Sequence, residues 1–271
     1  MLPVNRSTIK EIMALANINP TKNKGQNFLV DEKTIENIVN LCDFSGHGPV
    51  IEVGPGLGSL TYFLNDKYQN FSVIDIDESV ISYLNNVLNK DINIIFDDAL
   101  KFDFKKYEFV ISNIPYNITT ELISHILLCG DNLKGTVFMC QKENFYHFFD
   151  TNGSEYGPTS VLIHLLGNIK KEFDVKPSAF VPSPKCNSTV FTIKMTNLYP
   201  KEQVINAYNL ALKMFRNRRK TILNNLSREL GKEKAVEALD KAQINQLARP
   251  EEISPLLFLK LSNIISDINN N

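Results

Sequence analysis

One stretch narrows the possible folds more than any other. Pro49-Val50-Ile51-Glu52-Val53 is a short apolar run, and Gly54-Pro55-Gly56-Leu57-Gly58-Ser59-Leu60-Thr61 follows it directly. The run reads as a buried strand, and Leu57, Leu60, Thr61 and Leu64 continue as one face of a helix. A strand that enters a helix through closely spaced glycines is a βα turn suited to a ligand, because glycine lets the backbone come close. Such turns belong to open α/β sheets, whose ligands sit outside the carboxyl ends of the strands. The spacing is acidic-x-Gly-x-Gly-x-Gly, with Glu52 first and Ser59 where a dinucleotide fingerprint needs its third glycine. That disfavours an NAD-dependent oxidoreductase.

The units that follow repeat the plan. Phe71–Asp77 reads as a second strand, and Asp75 lies roughly twenty residues beyond the glycines, where a carboxylate accepts ribose hydroxyls. Asp77 fits better as the cap of a helix over Glu78–Leu88. Ile92–Phe96 is a third strand ending in Asp97-Asp98-Ala99, where a carboxylate can meet an adenine amino group or simply cap the chain. Phe109–Ser112 is a fourth, and Asn113-Ile114-Pro115-Tyr116 follows it. Here Asn113 offers an amide acceptor, Pro115 fixes a turn beside a backbone carbonyl, and Tyr116 offers an aromatic face. That set suits a flat base carrying an amine. Gly135–Gln141 reads as a fifth strand, and Val161–Leu166 with Thr189–Ile193 as an antiparallel pair closing the sheet. The glycine pattern with these acidic strand ends is the usual one of S-adenosylmethionine-dependent methyltransferases.

Two segments lie outside this plan. Phe173–Lys185 contains Pro177, Pro182 and Pro184, a rigid extended loop with Phe180 in its middle. Phe180 is either a core anchor or a stacking face for a base. Beyond Tyr199-Pro200 the pattern turns to helices without strands, so a boundary near 198 separates residues 1–198 from a small all-α domain, 199–271. This part holds the densest basic run, with Lys213, Arg216, Arg218, Arg219 and Lys220. Formal net charge is −1, so any nucleic-acid contact must come from such a local patch. Cys42, Cys129, Cys140 and Cys186 are far apart, with no metal-ligand spacing, and read as reduced thiols. No apolar run is long enough for a bilayer, and the N-terminal stretch lacks a signal-peptide core. Within it, Asn5 or Ser7 caps a short amphipathic helix, and Asp31 caps the next one. His47, His125, His147 and His164 fall in no motif.

Taken in order, the motifs resemble the KsgA family of small-subunit (16S) rRNA adenine dimethyltransferases. They are Gly25-Gln26-Asn27-Phe28-Leu29, Glu52–Gly58, Asn113-Ile114-Pro115-Tyr116-Asn117-Ile118-Thr119, Phe180-Val181-Pro182-Ser183-Pro184-Lys185, Arg218-Arg219-Lys220-Thr221 and Arg249-Pro250-Glu251-Glu252. The resemblance implies a Rossmann-like, doubly wound catalytic domain with a small all-α C-terminal domain that binds rRNA. It implies dimethylation of two adjacent adenosines in the 3′-terminal hairpin of 16S rRNA, in a pre-30S particle, by a cytoplasmic monomer using S-adenosylmethionine. The donor would be held by Asn27, Leu29, Gly54, Gly56, Asp75, Asp98 and Asn113. The reaction would fall to Asn113, Pro115, Tyr116 and Phe180, and RNA contact to Arg216, Arg218, Arg219 and Lys220. The family has Glu where this chain has Asp75, a shorter acid that must still reach the ribose. The rivals are an Erm-type large-subunit methyltransferase, a DNA adenine methyltransferase, and a catalytically idle assembly or organellar transcription factor on the same fold. The first is disfavoured by the Arg-Arg-Lys-Thr and Arg-Pro-Glu-Glu segments, and the second by Ile114 where Pro is usual.

Overall fold

The computed structural model describes residues 3, 5–16, 18, 26–42, 48–88 and 92–270. Gly46 and His47 of the loop before the first long strand, Lys22–Gly25 and the terminal Asn271 lie outside these. Packing divides the chain into two compact units, Met1–Lys142 with Lys170–Lys194, and Glu143–Ile169 with Met195–Asn271. The division therefore runs close to the sequence boundary at 198, but it also places 143–169 with the helical part.

The sheet follows from the apolar runs. β2 (Val50–Val53), β3 (Phe71–Asp75), β4 (Asn93–Phe96), β5 (Phe109–Asn113) and β6 (Gly135–Gln141) are mutually parallel where they pair. β7 (Gly167–Val175) and β9 (Ser188–Met195) extend the sheet, whose order is β4-β3-β2-β5-β6-β9-β7. The β6–β9 pair is antiparallel. β2 and β5 are neighbours, and the chain winds outward from them in both directions, so the topological switch point lies at their carboxyl ends. Val50, Ile51, Val110 and Ile111 are fully buried there, as strands covered on both faces require.

Short helices connect the strands. α1 (Arg6–Leu15) is capped by Asn5, α2 (Glu32–Leu41) by Asp31 and α4 (Glu78–Val87) by Asp77, each cap accepting a backbone N–H. α3 (Thr61–Lys67) follows the glycine turn and α5 (Thr119–Cys129) follows the loop after β5. A second, two-stranded sheet joins β1 (Phe28–Leu29) to β8 (Phe180–Val181), with Leu29 opposite Phe180.

The other unit is helical. α6 (Lys142–Phe149) leads into it, α7 (Pro158–Leu166) packs on α8 (Lys201–Phe215), and α9 (Ile222–Leu230), α10 (Lys232–Ala242) and α11 (Pro255–Asn270) complete it. One expectation changes here. Val161–Leu166 is helix, and the strand beside β9 is the following Gly167–Val175. The apolar run is long because α7 is buried all round, and Pro158 at its first turn starts a helix. Pro250 likewise starts a separate single turn, Pro250–Glu252, and the last helix begins at Pro255.

Candidate active site

The cleft lies within the first unit, at the carboxyl ends of β2, β3, β4 and β5, and encloses about 1020 Å³ of unfilled space, open solvent at its mouth included. Its floor is the glycine turn. Gly54, Gly56 and Gly58 all have positive φ, at 69°, 54° and 85°. At Gly56 a Cβ would stand 3.0 Å from the Phe28 ring, so this residue is glycine for space as well as for conformation. Gly54 N–H donates to Ile74 O at 2.9 Å, which ties the turn to β3.

Carboxylates line one wall. Asp75 ends β3, and its Oδ1 accepts Asp77 N–H at 2.8 Å. Asp98 follows β4; its Oδ1 accepts Leu100 N–H at 2.9 Å, and Lys101 stands 3.4 Å from its other oxygen. Of the Asp97-Asp98 pair, Asp98 faces the cleft. Glu52 lies beneath the floor, 2 % exposed, accepting the Thr61 hydroxyl at 2.7 Å. Burial pushes its carboxyl up to about 8, so it is neutral at neutral pH.

The opposite wall is the loop after β5. Asn113 Nδ2 donates to the Asn27 carbonyl at 3.2 Å. That bond uses the donor end of the amide and leaves Oδ1 as its acceptor. The Pro115 carbonyl is occupied, by Ile118 N–H at 3.2 Å and the Thr119 hydroxyl at 3.3 Å. That leaves the neighbouring Ile114 carbonyl for an incoming donor. Tyr116 is half-buried, and its hydroxyl shares a 2.9 Å hydrogen bond with Ser188 Oγ of β9. Burial raises its phenol further above the ordinary range, so it stays neutral. Leu29 completes the enclosure, its carbonyl held by Ser59 Oγ at 2.6 Å.

The cleft thus gathers Asn27, Leu29, Gly54, Gly56, Asp75, Asp98, Asn113, Pro115 and Tyr116. It does not gather Phe180. That ring is fully buried in the core cluster with Phe28, Leu29 and Val181, because β8 pairs with β1 and turns the side chain inward. The core-anchor alternative is the one realised, and Phe180 offers no stacking face here. Arg218 is tied in part to its own unit. Its Nη2 donates to the Gly153 carbonyl at 2.6 Å, its Nε stands 3.6 Å from Glu251, and it lies over the Phe215 ring at 5.8 Å. One of its donors is thus used within the helical unit, while the side chain stays 36% exposed. Arg216, Arg219 and Lys220 are exposed, and among the described residues they have no acidic partner.

Other residues line the cleft outside the expected set, among them Ile76, Ile118 and Gln26. Ile76 is 62 % exposed beside Asp75, an apolar surface at the rim. Ile118 follows Tyr116 on the opposite wall. Gln26 precedes Asn27, and its side-chain oxygen is buried. An apolar residue directly after the acidic end of β3 is the available signal for Ile76. Among the described residues no cluster of His, Cys, Asp and Glu is able to hold a metal.

Known proteins resemble this chain over most of its length. The family model for "Ribosomal RNA adenine dimethylase" matches residues 5–267. "Ribosomal RNA small subunit methyltransferase A" of Clostridium botulinum (strain Kyoto / Type A2) is 35% identical over 273 residues, 96% of this chain and 98% of that protein. The protein of the same name from Malacoplasma penetrans (strain HF-2) is 34% identical over 247 residues, covering 89% and 90%. Among solved structures, a dimethyladenosine transferase from Plasmodium falciparum aligns with a TM-score of 0.75 at 23% identity, covering 90% of this chain and 98% of that one. The 23S rRNA methyltransferase ErmE aligns at 0.65 and 23% identity, covering 89% and 100%. At that identity the two structures share the fold.

Proposed function

The chain belongs to the ribosomal RNA adenine dimethylase family, and from that premise we propose how its cleft carries out the reaction. The protein is an S-adenosylmethionine-dependent methyltransferase that dimethylates adenosine in small-subunit rRNA. Its targets, on this reading, are two adjacent adenosines of the 3′-terminal hairpin of 16S rRNA. They are presented in a pre-30S particle to a monomer working in the cytoplasm, where small subunits are built. The relatives at 34% and 35% identity carry the small-subunit name, whereas the large-subunit enzyme resembles the chain in fold alone, which favours this reading over the Erm-type one.

The residues fit the donor. Positive-φ glycines leave room at the floor, Asp75 and Asp98 supply acceptors at the ends of β3 and β4, and a buried amide oxygen of Gln26 awaits a hydrogen-bond donor. Asn27, Leu29, Gly54, Gly56, Asp75, Asp98 and Asn113 would hold it. S-adenosylmethionine supplies a methyl group on a sulfonium, reactive enough that the protein need add only alignment and charge stabilisation.

The adenine amine is a weak nucleophile because its lone pair is drawn into the ring. Asn113 Oδ1 and the Ile114 carbonyl accept its two hydrogens. Both acceptors are held in place, one by the Asn27 contact and the other by the 2.9 Å bond from Ile114 N–H to Met139 O. This draws the nitrogen towards a tetrahedral shape and frees its lone pair. Tyr116, held by Ser188, stacks on the base and favours the cation that forms, a contact of about 1–3 kcal/mol. That offsets much of the few kcal/mol, roughly, of exposing a base. The methylated cation is acidic and loses its proton to water, so no side chain acts as a strong base.

The fixed amide of Asn113 carries this proposal. Asn113→Ala should lower kcat on an rRNA fragment, measured at saturating S-adenosylmethionine, by about 100-fold or more, beyond any weakening of donor binding. Near-full methylation by that variant would refute the acceptor role.

A further inference from the structure

One buried atom in the cleft wall has no partner. Gln26 lines the cleft, and its Oε1 is shielded from solvent without a hydrogen bond among the described residues. Its Nε2 donates to Asp77 Oδ2 at 2.9 Å. That contact fixes the amide, since turning it over would bring oxygen against a carboxylate. Asp77 is itself fixed: its Oδ1 accepts Ser79 N–H at 3.2 Å and the Ser79 hydroxyl at 2.6 Å. The backbone N–H of Asp77 donates to Asp75 Oδ1 at 2.8 Å. Gln26, Asp77 and Asp75 therefore form one hydrogen-bonded run along the wall.

The run bears on the short acid at position 75. One oxygen of Asp75 already serves the turn into α4, and its side chain is a methylene shorter than Glu. A ribose diol presents two hydroxyl donors and needs two acceptors. Buried amide oxygens are costly to leave unpaired, and a neutral acceptor suits a neutral hydroxyl. We propose that Gln26 is a donor-binding residue whose Oε1 accepts one ribose hydroxyl of the S-adenosyl ligand, sharing the diol with Asp75. The assignment rests on the cleft being the donor site. Asp77 acts as a positioning residue that aims the Gln26 amide.

The test is calorimetric titration of the full chain with S-adenosylhomocysteine and with its 2′-deoxy and 3′-deoxy analogues. Gln26→Ala should bind S-adenosylhomocysteine about tenfold more weakly. The wild type should lose a similar factor towards one deoxy analogue, and the variant should lose nothing further for that analogue. Such non-additivity marks a direct contact. Thermal unfolding of the ligand-free variant should show only a small lowering of the midpoint, from the lost Nε2–Asp77 hydrogen bond, because the oxygen removed with it is unpaired. Equal losses towards all three ligands, or unchanged affinity for S-adenosylhomocysteine, would overturn the assignment. A wild type that binds none of them would overturn the cleft reading and the assignment with it.

Discussion

The chemistry of the cleft is decided by which end of each polar group is already in use. Asn113 commits its Nδ2 to Asn27, and Pro115 commits its carbonyl to the start of α5. What remains is an amide oxygen and the Ile114 carbonyl. The residue types at the strand ends are legible in one dimension, since an Asn or Asp following a short apolar run stands out there. Which of Asp97 and Asp98 faces the cleft is not, because register and local turn decide it. Phe180 is undecidable from sequence in the same way: its burial depends on pairing with Leu29, far away in the chain. Glu52 makes a residue-level prediction. Its carboxyl rises from an ordinary 4.5 to about 8 in the folded chain. Between those values the unfolded chain has released a proton that the folded chain keeps, so the contribution of this group to stability falls as pH rises. Glu52→Gln should flatten that fall, gaining on the wild type between pH 5 and pH 8 by an amount on the order of a few kcal/mol. Urea unfolding at the two pH values measures it, and parallel behaviour of the two proteins would contradict a neutral Glu52.

Elements place these residues, and their fit is tight at the glycine turn. Gly56 combines φ of 54° with a Cβ position only 3.0 Å from Phe28, which β1 holds against β8. Gly56→Ala should destabilise the chain by about 1–3 kcal/mol and weaken donor binding. Gly157, with φ of −153° and no atom within 4 Å of an added Cβ, is the control whose Ala variant should be near neutral. Denaturant midpoints compare the two. The βα turn is legible because its glycines are close together in sequence. α7 reads as a strand because Val161-Leu162-Ile163-His164-Leu165-Leu166 has no polar face, and a short apolar run does not distinguish a buried helix from a strand. The cue is Pro158 just ahead, at a helix start. At the N-terminus, Arg6 Nη2 donates to the Ser178 carbonyl at 2.6 Å, so α1 braces the proline-rich loop, a contact between segments too distant for any local pattern to show.

At the scale of the molecule, we propose that chemistry and address fall in different parts of the chain. The cleft is complete within the first unit, and the strongest basic run lies in the helical one. We assign RNA contact to Arg216, Arg219 and Lys220, and a structural role to Arg218. Replacing the first three with Ala should weaken binding to a small-subunit rRNA hairpin and reduce its salt slope by roughly 1 for each phosphate no longer neutralised. Arg218→Ala should instead lower stability by about 1 kcal/mol. Filter binding across a salt series and thermal unfolding separate the two outcomes. Charge density marks this run in the sequence, but only folding shows that Gly153 and Glu251 claim one of its arginines. Dimethylation of adenosine in small-subunit rRNA by this cleft is tested most directly by transfer of labelled methyl groups to undermethylated small subunits, large subunits and DNA in parallel. Label should appear in the small-subunit RNA alone, recovered on digestion as N6,N6-dimethyladenosine. Label on large-subunit RNA or DNA, or none on the small subunit, would contradict it.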